Sequence, residues 1–504
     1  MNAMKHNRDA APYSSFERIF NPRKLAIVGV TTTGFGFGRG ILHSILAMGY
    51  DGEIYPVNPK GGECNGIPIY REIDDIPGDI DFAIIALPAG LVPDALEKCR
   101  QKNAAGAEIL SAGFKETGTP EGIELEARVR EIASRGIRVI GPNCFGIYCP
   151  ESGITLLPGP ELSRKSGPVA FLSQSGGMTI DFAHLGQWMG IHFSKMISFG
   201  NGADLRETEM LRYLGDDPLT GVIAMYVEGV HNGREFFSTL SEVSSKKPVI
   251  LLKGGLSDAG QRAVASHTAS LGGSRTIWES VLRQCNAIQA SDLNDIADTC
   301  LAFCTLLRRP YHGIALVGGG GALGVAAADI AENFGLSIPA LRDDIQSQIE
   351  SLLPRPGSSA ANPVDVANPY VAPEILNKVL TLAAHDSAID IIILVQLLYH
   401  YKALLRMAGA ARLRDIVPTV QLIDAVDSAI KECGKPVVMV LPNPKQDTNS
   451  IEIEEIIREV REECIQRGIP VYADMANSIR AIGNVSRYCA RRESRSACCA
   501  SAAQ

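Results

Sequence analysis

Residues 24–40 read KLAIVGVTTTGFGFGRG, and residues 41–50 continue ILHSILAMGY. A run of β-forming apolar residues ends in a turn carrying Gly29, Gly34, Gly36, Gly38 and Gly40, and apolar residues then recur at helical spacing. The stretch predicts a strand, a glycine loop and a helix. The same design returns at PVAFLSQSGGMTIDFAHLGQWMG (168–190) and at GIALVGGGGALGVAAADIAENFG (313–335). Between these units lie short apolar runs such as FAIIALP (82–88), GVIAMYVEG (221–229), PVILLKGG (248–255) and IDIIILVQLL (389–398), alternating with helical stretches. Strands apolar on both faces belong to parallel sheets that helices cover on each side, so the fold class is α/β, with three doubly wound domains. The glycine units stand about 140 residues apart, far too long for a solenoid repeat. Proline and glycine cluster at 149–167 and 308–313, which read as linkers. The expected organisation is an N-terminal arm over 1–22, domains over 23–150, 165–305 and 311–490, and a disordered tail over 491–504, where the polar, small-residue sequence RRESRSACCASAAQ begins.

A length of 504 residues agrees with about three domains. With 46% hydrophobic and 21% charged residues the chain can bury ordinary globular cores. A net charge of −8 argues against nucleic acid or an anionic membrane surface as partner. The 12 cysteines include no CxxC pair and no regular spacing, which favours a reducing compartment over a zinc cluster or a disulfide framework. No apolar window reaches the roughly 18 residues that a membrane span needs, and the N-terminus lacks a signal-type apolar core. A cytoplasmic location is expected.

In the first glycine loop, missing Cβ atoms let backbone N–H groups approach a pyrophosphate at the positive end of a helix. An NAD site would place a carboxylate at the end of the second strand, where this sequence has Val57, Asn58, Pro59 and Lys60. Positive charge there suits a ligand with an extra ribose phosphate, such as NADP or coenzyme A. In the second unit Ser173, Ser175, Gly176 and Gly177 stand at a helix mouth, where hydroxyl and N–H groups can converge on an oxyanion; Ser175 serves equally as a plain helix cap. Downstream, GGLSDAGQRAVASHTASLGGS (254–274) sets His267 among small residues that leave a side chain room to swing. The run 318–321, Gly319 and Gly320 included, offers a further positive helix end or a site of close helix packing.

The series VNPKGGECNGIPIY (57–70), DFAIIALPAGLVPDAL (81–96), AGFKETG (112–118) and RVIGPNCFGIY (138–148) resembles the CoA-binding domain of nucleoside-diphosphate-forming acyl-CoA synthetases, the superfamily of succinyl-CoA synthetase. The resemblance implies a Rossmann-like CoA-binding domain followed by two flavodoxin-like domains. It implies that Gly29, Thr31 and Gly38, the corner at Val57, Asn58 and Lys60, and the turn at Pro88 and Ala89 hold CoA. SHTASLGG (266–273) resembles the phosphohistidine loop of the same superfamily, which makes His267 the phosphoryl carrier, and Glu228 in AMYVEGV (224–230) matches the glutamate that orients it. The region through NPVD (362–365) resembles the third domain of archaeal-type α subunits. In that arrangement helix ends of the second and third domains face the phosphate on His267.

The family reaction needs ATP and Mg2+, bound by an ATP-grasp module, and no such module is found in this sequence. The leading expectation is therefore the α subunit of an ADP-forming acyl-CoA synthetase, acting with a separate ATP-grasp β subunit as an α2β2 assembly and holding no metal itself. Two alternatives stay open: a CoA or acyl-CoA sensor that keeps the fold without turnover, and an NADP-dependent oxidoreductase, for which no hydride-transfer site is recognisable.

Overall fold

The computed structural model describes residues 14–34, 36–155, 161–268, 274–319, 321–367 and 371–502, with the side chains of 263, 265–268, 321 and 496–502 outside the described set. Three sheets organise it. The first contains β1 (Lys24–Val28), β2 (Glu53–Val57), β3 (Phe82–Ile85), β4 (Gly106–Ile109) and β5 (Arg138–Ile140), all parallel, in the order β2-β1-β3-β4-β5. The second contains β6 (Gly146–Tyr148), β7 (Ser166–Ser173), β8 (Phe193–Ser198), β9 (Val222–Val227), β10 (Val249–Lys253) and β11 (Ile288–Gln289), in the order β11-β10-β9-β7-β8-β6. Only β6 runs antiparallel there. The third contains β12 (Ile314–Gly318), β13 (Val364–Asp365), β14 (Ile391–Val395), β15 (Val437–Val440) and β16 (Val471–Tyr472), in the order β13-β12-β14-β15-β16, all parallel.

With β6 set aside, each sheet places its own strands in the order 2-1-3-4-5. The chain therefore reverses direction across the sheet between the first and third strands, and ligands of doubly wound folds bind beyond the strand ends at that reversal. In this chain those points are the C-terminal ends of β1 and β3, of β7 and β9, and of β12 and β14. The glycine units recognised in the sequence sit directly after β1, β7 and β12.

The chain divides into two compact units, Met1–Ile296 and Ala297–Gln504. The first two sheets share the first unit, and the sequence explains why. Residues 141–145 lead straight from β5 into β6, which forms the edge of the second sheet. Glu108, buried on β4, accepts a hydrogen bond from the Ile147 N–H on β6 (3.0 Å), and burial pushes its carboxyl up to about 8. The N-terminal arm contributes the helix Ser14–Phe20, whose Phe16, Ile19 and Phe20 are buried. Both phenyl rings stack on Tyr213, at 4.6 and 5.2 Å, so the helix fastens residues near both sheets. Beneath them lies a buried ion pair between Lys195 and Asp217 (2.9 Å).

The helix Leu293–Thr305 crosses the division. Within the second unit its Thr299 hydroxyl accepts from the Asn484 amide (3.0 Å), and Tyr472 donates to the Asp298 carbonyl (3.2 Å). Asn484 belongs to the helix Met475–Ala502, which runs through 491–502, the stretch expected to be a disordered tail. Buried Ile479, Ile482, Val485 and Tyr488 dock its first half. Once docking has nucleated the helix, propagation is favourable, because no glycine or proline follows Gly483.

Candidate functional site

At the reversal point of the first sheet, Gly29 has φ +105 and donates its N–H to the Val57 carbonyl (2.9 Å); a side chain there would strike the Ala86 carbonyl. Gly38, in the first turn of the helix Phe37–Ala47, lies so close that an added Cβ would sit 2.6 Å from the Gly29 oxygen. The loop is thus pressed between the ends of β1, β2 and β3, and the glycines are required by contact. Thr31 on this loop has a buried hydroxyl with no hydrogen-bond partner among the described residues. Asn58 donates its N–H to Tyr70 (2.9 Å), and its side-chain oxygen accepts from the N–H of the exposed Lys60 (3.0 Å). Pro88 precedes the short 3-10 turn Ala89–Leu91, just past β3. These sequence-nominated residues therefore gather along one rim. The structure adds Arg39, whose guanidinium donates to the Thr32 carbonyl (2.8 Å) and holds a cation at the same loop.

At the reversal point of the second sheet, the buried Ser173 hydroxyl donates to the Ser175 carbonyl (2.8 Å) and accepts from the Ser175 N–H (3.0 Å). That hydroxyl shapes the turn. Ser175 is the N-cap of the helix Gly176–Trp188, accepting from the Met178 N–H at 3.4 Å. The N–H groups of Gly176 and Gly177 have no partner among the described residues, as the first turn of a helix dictates. A Cβ on Gly176 would enter the Phe145 ring, whereas one on Gly177 would meet nothing within 4 Å. Gly176 is therefore fixed by packing, and Gly177 faces open space.

Glu228 follows β9 and is buried. One carboxyl oxygen accepts from the Tyr226 hydroxyl (3.1 Å); the other, Oε2, is buried and unpartnered among the described residues. Its backbone is held twice: the N–H groups of Glu228 and Gly229 donate to the Gln174 side-chain oxygen, and Lys253 Nζ donates to the Glu228 carbonyl (2.7 Å). Burial lowers the pKa of Lys253, with Glu228 opposing, and the ammonium sits 5.3 Å from the Trp278 ring centroid. Lys253 ends β10, from which the chain passes into the helix Asp258–Thr268. His267 belongs to the backbone of that helix, and its imidazole lies outside the described residues. The helix packs on the turn Lys115–Thr117 beyond β4. Gly319 follows β12 beside a small hollow lined by Gly318, Gly324 and Asp365; Gly320 lies outside the described residues.

A cavity of about 770 Å³ joins the two reversal points of the first unit. Leu87 and Pro88 beyond β3 form one side, Gln174 and Gly177 the other, and Asn143 and Phe145 of the stitch between the sheets form the floor. It has the make-up of a small-molecule site: mostly apolar walls with a few polar groups aimed inward. Sequence reasoning passed over Asn143, Phe145 and Gln174. The first two adjoin Cys144 in a motif already quoted, and Gln174 sits inside the SQSGG run but carries no charge to draw notice.

Residues 23–150 match the model of a CoA binding domain, and residues 166–303 match that of a succinyl-CoA ligase like flavodoxin domain. Acetate–CoA ligase [ADP-forming] I subunit alpha of Pyrococcus furiosus is 32% identical over 94% of this chain and 98% of its own length. The chain belongs to the ADP-forming acid–CoA ligases. Acetate–CoA ligase [ADP-forming] I of Archaeoglobus fulgidus is 33% identical over 94% of this chain, which spans 63% of that longer protein. Relatives in this family thus occur both as named alpha subunits and as longer single chains. Among solved structures, the dinucleotide-forming acetyl-coenzyme A synthetase 1 of Ca. Korarchaeum cryptofilum, determined with phosphate and ADP, is 28% identical, with a TM-score of 0.79 over 95% of this chain and 97% of that one. The first sheet is accordingly a CoA-binding domain, and the second a ligase-type flavodoxin domain. No helix among the described residues is long and apolar enough to cross a membrane.

Proposed function

We propose that this chain is the α subunit of an ADP-forming acyl-CoA synthetase, which reversibly converts a carboxylate, CoA and ATP into acyl-CoA, ADP and phosphate through phosphorylated His267. The observation that carries this reading is the cavity shared by the CoA-binding rim and the glycine-capped helix. An acyl carbon, a thiol and a phosphoryl group must meet in one space, and proximity supplies much of the acceleration.

In this mechanism a ring nitrogen of His267 attacks the γ-phosphorus and ADP leaves; a carboxylate oxygen then attacks that phosphorus and the imidazole leaves, giving an acyl phosphate. The CoA sulfur attacks the acyl carbon, its proton passes to solvent and phosphate departs. Glu228 accepts the N–H of the opposite ring nitrogen, fixing the tautomer and stabilising the imidazolium, a task for which a carboxyl oxygen without another partner is suited. The free N–H groups of Gly176 and Gly177 at a helix N-terminus stabilise the phosphoryl oxygens, while Ser173 and Ser175 keep that turn in shape. By the family resemblance, Gly319 and Gly320 supply further phosphate-binding N–H groups. CoA lies along Gly29, Thr31 and Gly38, with the buried Thr31 hydroxyl as a donor, Asn58 and Lys60 at the ribose-phosphate end, and Pro88 and Ala89 leading into the cavity.

ATP and its Mg2+ bind an ATP-grasp β chain in this reading, and the assembly is α2β2. The ten described cysteines are free thiols, which suits a cytoplasmic setting. The test is transfer of labelled inorganic phosphate to the chain in the presence of acyl-CoA. Acid-labile label on the wild type, absent from His267→Ala, is expected; label retained by that variant refutes the assignment, and CoA binding without label on the wild type favours a sensor.

A further inference from the structure

Gln174 stands between Ser173 and Ser175 at the mouth of the helix Gly176–Trp188 and is 5% exposed. Its side-chain oxygen accepts from two backbone donors, the N–H groups of Glu228 and Gly229, the latter at 3.1 Å. Two donors converging on one atom settle which end of the amide is oxygen, because nitrogen could accept from neither. The amide nitrogen, bonded to the same carbon, must then point away from the Glu228 turn. It has no hydrogen-bond partner among the described residues, and Gln174 lines the cavity.

The same wall carries the unpartnered N–H groups of Gly176 and Gly177. Every free polar group contributed there by these three residues' amides is a donor, so the wall is built for an acceptor-only ligand. Such a ligand is an oxyanion and not an amide or an alcohol. Amide hydrogens left free at a cavity wall can be met by an acceptor held in the cavity, and a cavity beside a helix N-terminus is where an anion is stabilised most.

We propose that Gln174 donates from Nε2 to an oxygen of the transferred phosphoryl group, and that through Oε1 it links that contact to the backbone carrying Glu228. The inference rests on the phosphohistidine reading above and assigns a residue that this reading did not use. The donor is neutral, so it orients the phosphoryl group without the extra attraction of a cation, which would hold a dianion too tightly for onward transfer. One planar group thus sets the distance between the place where phosphorus is held and the carboxylate that steadies the histidine.

Gln174→Glu is the discriminating variant, since it keeps an oxygen for both backbone donors and replaces the donor with a repelling atom. The assay is labelling of the full chain by inorganic phosphate with acyl-CoA, at varied concentrations of each, together with thermal unfolding. Loss of a hydrogen bond to a charged oxygen predicts a KM for phosphate raised about 10- to 150-fold, with the KM for acyl-CoA nearly unchanged, while the melting temperature reports the cost of the added buried charge. Gln174→Ala, which also frees the Glu228 turn, is expected to lose kcat in addition. If Gln174→Glu folds and labels with the wild-type phosphate dependence, this inference falls while the phosphohistidine reading stands. If it does not fold, an unchanged phosphate KM in Gln174→Ala has the same force. A wild-type chain that takes no label removes both.

Discussion

Replacing Glu228 by Gln separates a catalytic carboxylate from a structural one. In the folded chain one oxygen takes the Tyr226 hydroxyl and the other has no partner among the described residues, while the main chain of the residue is held by Gln174 and Lys253. The amide keeps an acceptor for Tyr226 and exchanges an unpaired oxygen for an unpaired N–H2 of the same size. One unmatched polar group replaces another, so the stability change should stay within about 1 kcal/mol, roughly 2–4 °C in Tm for a unit of this size. Activity should respond very differently. A carboxylate about 4 Å from a developing imidazolium contributes about 4 kcal/mol at an effective dielectric constant near 20, which is roughly a thousandfold in rate. The assay is the time course of acid-labile labelling of His267, measured beside a thermal melt. Labelling within about threefold of wild type would refute the argument, and so would a large fall in Tm accompanied by proportionate loss of label, since the carboxyl would then be holding up the fold.

Three further expectations follow from single contacts. Thr31→Val removes a buried hydroxyl that has no partner among the described residues, so stability should hold or rise while calorimetric CoA affinity falls about tenfold, the equivalent of one hydrogen bond. Gly176→Ala drives a methyl group into the Phe145 ring and should cost about 1–3 kcal/mol by urea unfolding, with much of it recovered in a Phe145→Leu background. Glu108 is raised from 4.5 to about 8 in the folded chain, so its contribution is full below about pH 4.5 and is lost as the pH climbs through 8. Melts of the wild type should therefore decline across that window by up to about 1.4 kcal/mol per pH unit more than those of Glu108→Gln.

The glycine turns were legible in the sequence because Gly29 and Gly38 answer to local geometry: a positive φ and a close strand-to-helix approach leave room for no other residue. Strand positions were legible for a similar reason, since apolar runs such as 391–395 are buried on both faces. Phe145 and Asn143 escaped notice because their importance depends on where β6 goes: residues 141–145 look like an ordinary loop until the strand after them joins a different sheet. Gln174 escaped because its role depends on which end of an amide faces a turn 54 positions away. Composition alone makes 491–502 look like a tail, because the helix there depends on the docking of Ile479 to Tyr488 that starts it.

The stitch from β5 into β6 has a mechanical meaning. The chain that closes the first sheet in β5 edges the second in β6 after only residues 141–145, and the Phe145 N–H is tied to the Ser198 hydroxyl on β8 (3.1 Å). The two sheets whose strand ends wall the cavity are therefore held to each other by their own backbone. On the phosphohistidine proposal, loosening residues 141–145 should slow turnover even where every reacting group is left in place.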